Sequence, residues 1–315
     1  MTNDQTILAG VEPLATEEII TRRDALMTSG KMSAATVAAL SLGSVPVALA
    51  ALSRSAWGQS TPATVQAVLD FALMLEIFEN ELYKAVLGTS SSAVQNAAFA
   101  PVRALVPASA LPAIQQLQRH EAAHVVFLTA NGAVNSLNLS AASFDFTGAR
   151  GAGNGPFARA TTELAFLLLA AQAVEDTGVR AYKGQAGNLM SNTVVLEAAL
   201  RIHSVEARHA AKIRRLRRQT GASSVVRFSG TVSGTGSAAA GASNITSPPA
   251  AAVAALDLIY ANENVTTQGS VNVTTESGLP SGVDVAAAAS ESFDEALTRD
   301  QVKAIVQPFF IPTIP

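Results

Sequence analysis

Four stretches of the chain carry apolar residues at helical spacing, each long enough for a bundle helix and each closed by a recognisable stop. The first covers about residues 62–87: Thr61 is placed to cap it, Pro62 suits the first helical position, and Gly88 follows the last turn. The second begins near Ser109 and ends before Gly132; the third starts after Gly155-Pro156 and stops at Gly184. The fourth covers about residues 192–219, with Gly221 beyond it. Lys212, Arg214, Arg215, Arg217 and Arg218 crowd its last two turns, where cations suit the negative end of the helix dipole. At 1.5 Å per residue such helices reach roughly 30 to 40 Å, and four of them with apolar faces predict an all-α four-helix bundle. Residues 131–155, loaded with Gly, Ala, Ser and Asn, form a connection long enough for the third helix to cross over the bundle.

Beyond Gly221 the pattern changes to Ser, Thr, Gly, Ala and Val, with alternation in Val225-Val226-Arg227-Phe228 and in Ser270-Val271-Asn272-Val273. Two short helices are expected there, over residues 250–262 and 299–307, the second opened by a capping box of Thr298 and Gln301. The chain therefore divides into a leader and linker (1–57), a bundle (58–221) and a loop-rich extension packed on the bundle (222–315).

Composition narrows the chemistry. With 49% apolar and 14% charged residues in 315, the chain can build one good-sized core. A net charge of -3 gives no electrostatic reason to expect nucleic acid as a partner. Cysteine is absent, which excludes disulfides, thiolate catalysis and thiolate metal sites. Any metal must be held by nitrogen and oxygen. Near the start, Thr21-Arg22-Arg23-Asp24-Ala25-Leu26-Met27 precedes a mildly apolar run at 33–52 that ends in Ala48-Leu49-Ala50, a small-x-small cleavage signal. The paired arginines resemble a twin-arginine export signal, though Asp24 and Ala25 depart from its usual continuation. The expectation is export to the periplasm or medium, with membrane attachment only through an uncleaved leader.

The chain has four histidines, and all lie in two short motifs: His120 and His124 in RHEAAHVV, His203 and His209 in HSVEARHAA. Each motif contains Glu-x-x-His, as Glu121 with His124 and Glu206 with His209, and residues three apart share a helix face. The other two helices each carry a glutamate within an apolar stretch, Glu76 in FALMLEIF and Glu175 in LLLAAQAVEDTG. Seven residues after each, nearly two turns on, stand Tyr83 and Tyr182. The order Glu-x6-Tyr, Glu-x-x-His thus occurs twice, so the chain repeats a helix pair. Four carboxylates meeting inside a bundle would repel unless cations neutralised them.

This pattern resembles the ferritin-like di-metal carboxylate proteins, in particular the exported ferritin-like and desiccation-related family. The motifs span residues 62–219, and ENVTTQGSVNV and AASESFDEALTRDQVKAIVQPF in the extension look like the segments that follow the bundle there. The resemblance implies a ferritin-like fold with two iron or manganese ions, Glu76 and Glu175 as terminal or bridging ligands, Glu121 and Glu206 as the other carboxylates, and His124 and His209 as one nitrogen ligand per metal. Around them, Tyr83 and Tyr182 either donate to ligand carboxylates or cap the core, and His203 is a supporting partner or a flanking histidine. His120 reads as structural or exposed. Glu79, Glu81, Glu163, Asp176 and Glu197 read as solvated helix surface, and the RRLRR run at 214–218 as a charged helix end.

The resemblance further implies redox chemistry on dioxygen, peroxide or Fe(II), as in a ferroxidase, peroxidase or manganese-catalase-like oxidoreductase, in stress or desiccation protection. A small oxidant or metal ion is then the partner, with homo-oligomerisation left open. The alternative is a non-catalytic scaffold that the metals staple together.

Overall fold

The computed structural model describes residues 63–221, 245, 248–263, 265–279 and 285–315. The leader, Thr61 with Pro62, and the alternation at 225–228 lie outside them. Among the described residues the chain is mostly helical, and no helix is long and apolar enough to cross a membrane.

Four long helices make the bundle: α1 (Ala63–Leu87), α4 (Leu111–Ala130), α5 (Leu164–Gln185) and α6 (Thr193–Gln219). Two short helices, α2 (Ala93–Ala98) and α3 (Ala100–Arg103), occupy the α1–α4 connection and had no clear periodic signature. Helix α1 stops where expected. Gly88 takes φ +78°, and Thr89 N–H reaches back to Lys84 O at 2.8 Å, satisfying a carbonyl of the last turn. Asn192 caps α6 by accepting from Val195 N–H at 3.1 Å.

Helix directions follow from side-chain pairs. Near one end of the α1–α4 pair, Gln66 and Asp70 bond the backbone of Gly132 and Val134; further along, Gln118 bonds Asn80, so α1 and α4 run antiparallel. Asp176 with Arg214, and Gln172 with Arg217, make α5 and α6 antiparallel. Tyr83 on Glu175 and Tyr182 on Glu76 make α1 and α5 antiparallel. Helices α4 and α5 therefore point the same way, which requires the crossover that the long linker allows.

Helix α5 begins later than Pro156. Phe157 N–H bonds Thr147 O at 2.9 Å, and Gly155 packs so close that a Cβ there would stand 2.2 Å from Thr147 O. This fold-back occupies the first residues, and the helix starts only after a 3₁₀ turn at Ala158–Thr161. Helix α5 ends at Gln185, one residue past Gly184, but Gly184 does not take the positive φ of a glycine stop. A Cβ at Gly184 would lie 1.8 Å from Leu297 O, so the glycine admits the extension's backbone against the helix.

The extension contains α7 (Ala250–Ile259), a small hairpin of β1 (Thr267–Gln268) and β2 (Val271–Asn272), α8 (Val285–Ser292) and α9 (Arg299–Val306). The capping box on Thr298 and Gln301 opens α9. Phe309 and Phe310 pack with Phe78, Phe144 and Phe146, with ring centroids of Phe144 and Phe310 5.0 Å apart. Asp145 N–H bonds Phe309 O at 2.8 Å, and Ile311 N–H bonds Ser143 O at 2.9 Å, which ties the extension to the crossover. Covered on that side too, α1 is buried at every residue from Phe71 to Tyr83.

Candidate metal centre

The six residues named from the repeat converge in the bundle interior. Glu76, Glu121, Glu175 and Glu206 have no exposed surface, and His124 and His209 are buried with them. Helical spacing brings Glu121 with His124, and Glu206 with His209, onto inward faces of α4 and α6. Helices α1 and α5 add Glu76 and Glu175.

They form two ligand groups, Glu76, Glu121, His124 and Glu206 in one, and Glu121, Glu175, Glu206 and His209 in the other; within each, the candidate atoms lie within 4.8 Å of one another. Glu121 and Glu206 belong to both, so they are placed to bridge, and Glu76 and Glu175 to bind at the ends. His124 Nδ1 stands 2.9 Å from Glu76, 3.1 Å from Glu121 and 3.1 Å from Glu206. His209 Nδ1 stands 2.7 Å from Glu121, 3.3 Å from Glu175 and 3.4 Å from Glu206.

Proximity does not mean satisfaction. Glu121 Oε1, Glu175 Oε2, both Glu206 oxygens, His124 Nε2 and His209 Nδ1 are buried without a hydrogen-bond partner; the close contacts from His209 Nδ1 to Glu121 Oε1, Glu175 Oε2 and Glu206 Oε2 are not aligned as an N–H donor requires. Buried polar atoms left in this way cost free energy. Two divalent cations would coordinate the unmatched oxygens and ring Nδ1, and would balance four carboxylates beside two neutral imidazoles. The residues fit such ions.

Without cations, the charges have to be balanced by protons. Burial, reinforced by neighbouring carboxylates, pushes the Glu76 carboxyl up to about 8, and burial also raises Glu175 well above the usual range. Burial works against charge on the two imidazoles, yet Glu76 beside His124, and Glu175 with Glu206 beside His209, outweigh it and raise both. Burial opposes charge on Glu206 as well, but His209 and His124 hold that carboxyl below its usual range.

The supporting contacts are reciprocal. Tyr83 O–H donates to Glu175 Oε1, and Tyr182 O–H donates to Glu76 Oε1 at 2.5 Å. Each tyrosine thus holds the outer oxygen of the glutamate on the opposite helix and leaves the inner one, Oε2, for the cluster.

Residues 64–219 match the family described as ferritin-like domain. The fold of this stretch is ferritin-like. No curated protein and no solved structure matches the chain.

Around the centre of the ferritin-like domain, several expectations change. His120 is half-buried, with Nδ1 2.8 Å from His209 Nε2 and the two rings stacked 5.1 Å apart. Burial and the charge of His209 lower it to about 4, so it is a neutral partner at neutral pH. No hydrogen bond links His203 to the six ligand candidates among the described residues; its Nε2 has no partner. Glu79, Glu81 and Asp176 are buried, not solvated, while Glu163 and Glu197 are partly exposed in ion pairs with Arg159 and Arg201. Glu79 packs inside the bundle against Gly178 of α5, Glu81 pairs with Lys84 at 2.7 Å, and Asp176 meets Arg214 and, at 2.8 Å, Tyr260 O–H. The RRLRR run is therefore not simply a charged end, because Arg217 is buried and donates to Gln172 Oε1 at 2.8 Å. An unbroken apolar run around Glu76 was the available signal for α1's burial; nothing local announced the arginine contacts.

Proposed function

We propose that this is a di-metal carboxylate oxidoreductase that holds two iron or manganese ions in the six-residue cluster and turns over a small oxidant or Fe(II). The observation that carries the reading is the sharing of Glu121 and Glu206 between two buried ligand groups, each completed by one terminal glutamate and one histidine. Bound there, such ions supply adjacent redox centres that can hold oxygen ligands and exchange electrons with them.

The chain's part is positioning. Tyr83 and Tyr182 fix the terminal carboxylates, and His120 bonds His209 Nε2 so that Nδ1 faces the cluster. Burial excludes bulk water from the ligands. The Arg22-Arg23 leader and the motifs of the extension support an exported protein of the desiccation-related kind, folded and loaded before export.

A second reading is favoured by the ligand groups drawing on all four bundle helices: the ions could serve only to staple the bundle. Metal analysis of protein from its native host, followed by dioxygen and peroxide consumption after Fe(II) or Mn(II) is added to metal-free protein, separates them. Two ions per chain with oxidant turnover is the expected result. Two ions without turnover leaves the staple, and no bound metal removes both readings.

A further inference from the structure

The RRLRR run divides by face. Arg214 and Arg217 turn toward α5, where Asp176 and Gln172 receive them. Lys212 and Arg215, three residues apart and so on one face of α6, instead line a cleft of about 260 Å³ at the end of the bundle. Among the described residues no carboxylate pairs with either cation. The sequence that follows α6 supplies none, because positions 222–249 contain neither Asp nor Glu.

The cleft lies where α4 and α5 begin and α6 ends, with Ser109 and Ala110 on the α4 side and Leu164 and Leu168 on the α5 side. Its charge is one-sided. Ala110 and Glu163, the residues that precede α4 and α5, give the first turns no side-chain cap, so neither positive helix end is satisfied from its own cap. Glu163 stands one residue before Leu164, but Arg159 bonds both its oxygens at 2.7 Å. The negative end of α6 is quieter, since Thr220 N–H and Gly221 N–H reach back to Leu216 O at 3.1 Å and Arg218 O at 3.2 Å.

The floor is apolar. Ile114, Leu168 and Leu216 are buried, while Arg215 and Gln219 stand at the exposed rim. Two cations and two positive helix ends above such a floor select a ligand divided in the same way. An inorganic anion would leave the apolar side uncovered, and a neutral hydrocarbon would leave the cations unpaired; a carboxylate on a hydrocarbon body meets both. The Arg215 guanidinium suits a planar carboxylate, which it can hold through two parallel N–H donors. The volume is just under the roughly 300–1,000 Å³ of most small-molecule sites, which keeps that body short.

We infer that the cleft binds a short amphipathic carboxylate, with its head on Lys212 and Arg215 and its hydrocarbon on Ile114, Leu164 and Leu168. The cleft shares no side chain with the ligand cluster, so this binding stands or falls apart from the di-metal reading. Calorimetric titration of the full chain with octanoate should show one site per chain, with octanol and inorganic phosphate each bound at least about tenfold more weakly. Lys212→Gln combined with Arg215→Gln should lower octanoate affinity by about tenfold or more, whereas Arg218→Gln, at the same helix end but outside the cleft, should change nothing. Leu164→Asn should weaken octanoate and leave phosphate as it was. If the double variant fails to fold, Ser109→Glu replaces it, because a fixed carboxylate at the exposed rim repels the ligand's and should weaken octanoate alike. Octanol or phosphate bound as tightly as octanoate overturns the amphipathic ligand. Octanoate that does not bind, or binds regardless of the double variant and of Ser109→Glu, overturns the site, and an equal loss in Arg218→Gln reduces the effect to net charge and overturns it too.

Discussion

Tyr83 and Tyr182 act on the carboxylates from outside, and the two hydroxyls are buried with no other task in view. Removing one leaves the volume nearly unchanged but frees its glutamate to rotate. Tyr83→Phe should therefore weaken metal binding by about 10–100-fold, the usual scale for a partner that orients a ligand, with little change in helix content. Competition against a chromophoric chelator measures it; unchanged affinity would remove the positioning role. His120 and His203 make an internal comparison. His120→Ala takes away the partner of His209 Nε2 and should weaken binding on a similar scale of about 10–100-fold, whereas His203→Ala should bind like the wild type. If the two variants behave alike, the stacked pair of His120 and His209 has no role in holding the ring.

At the scale of elements, Gly184 and Arg180 hold the extension against α5. Arg180 donates to the carbonyls of Ile259, Ala261 and Glu295 and pairs with Glu263 at 3.0 Å. Gly184→Ala would put a Cβ into Leu297 O, so the extension must shift. Limited proteolysis should then cut residues near 297 faster than in the wild type, while circular dichroism of the bundle changes little; equal protection would show that the contact yields without cost. The bundle helices could be read from their periodicity and stops, and the ligand residues from the doubled Glu-x-x-His with its intercalated glutamates. Those signals are local, within a few turns of one helix. What escaped depends on partners far away in sequence. Glu79 looked solvated because its own helix gives no sign that Gly178 of α5 packs against it, Asp176 because nothing local announces Arg214 and Tyr260, and Gly184 looked like a stop because the backbone it admits is more than a hundred residues on. The late start of α5 has a nearer origin, a fold-back of Gly155 and Phe157 onto Thr147 within the same loop.

For the whole molecule, metal and protons compete for one cluster. Between its ordinary 4.5 and about 8, Glu76 keeps a proton in the folded metal-free chain that the unfolded chain has released, so this contribution to stability falls as pH rises through that window. The raised imidazoles of His124 and His209 act with the same sign above their ordinary 6.5. Bound cations require the deprotonated carboxylates and neutral rings, so they reverse the trend. The melting temperature of chelated protein should drop as pH rises toward 8, and the gap between metal-loaded and chelated protein should widen. Parallel curves would separate the cluster's titration from folding. The position of Ile305, Phe309 and Phe310 has a further consequence, for synthesis. The ribosome completes α6 at Gln219 and must add 86 more residues before reaching Ile305, several seconds at roughly 5–20 residues per second. During that interval the nascent bundle shows bare aromatic side chains where Phe78 and Phe146 await their cover, and a message that breaks off before codon 305 would release a chain fixed in that sticky state.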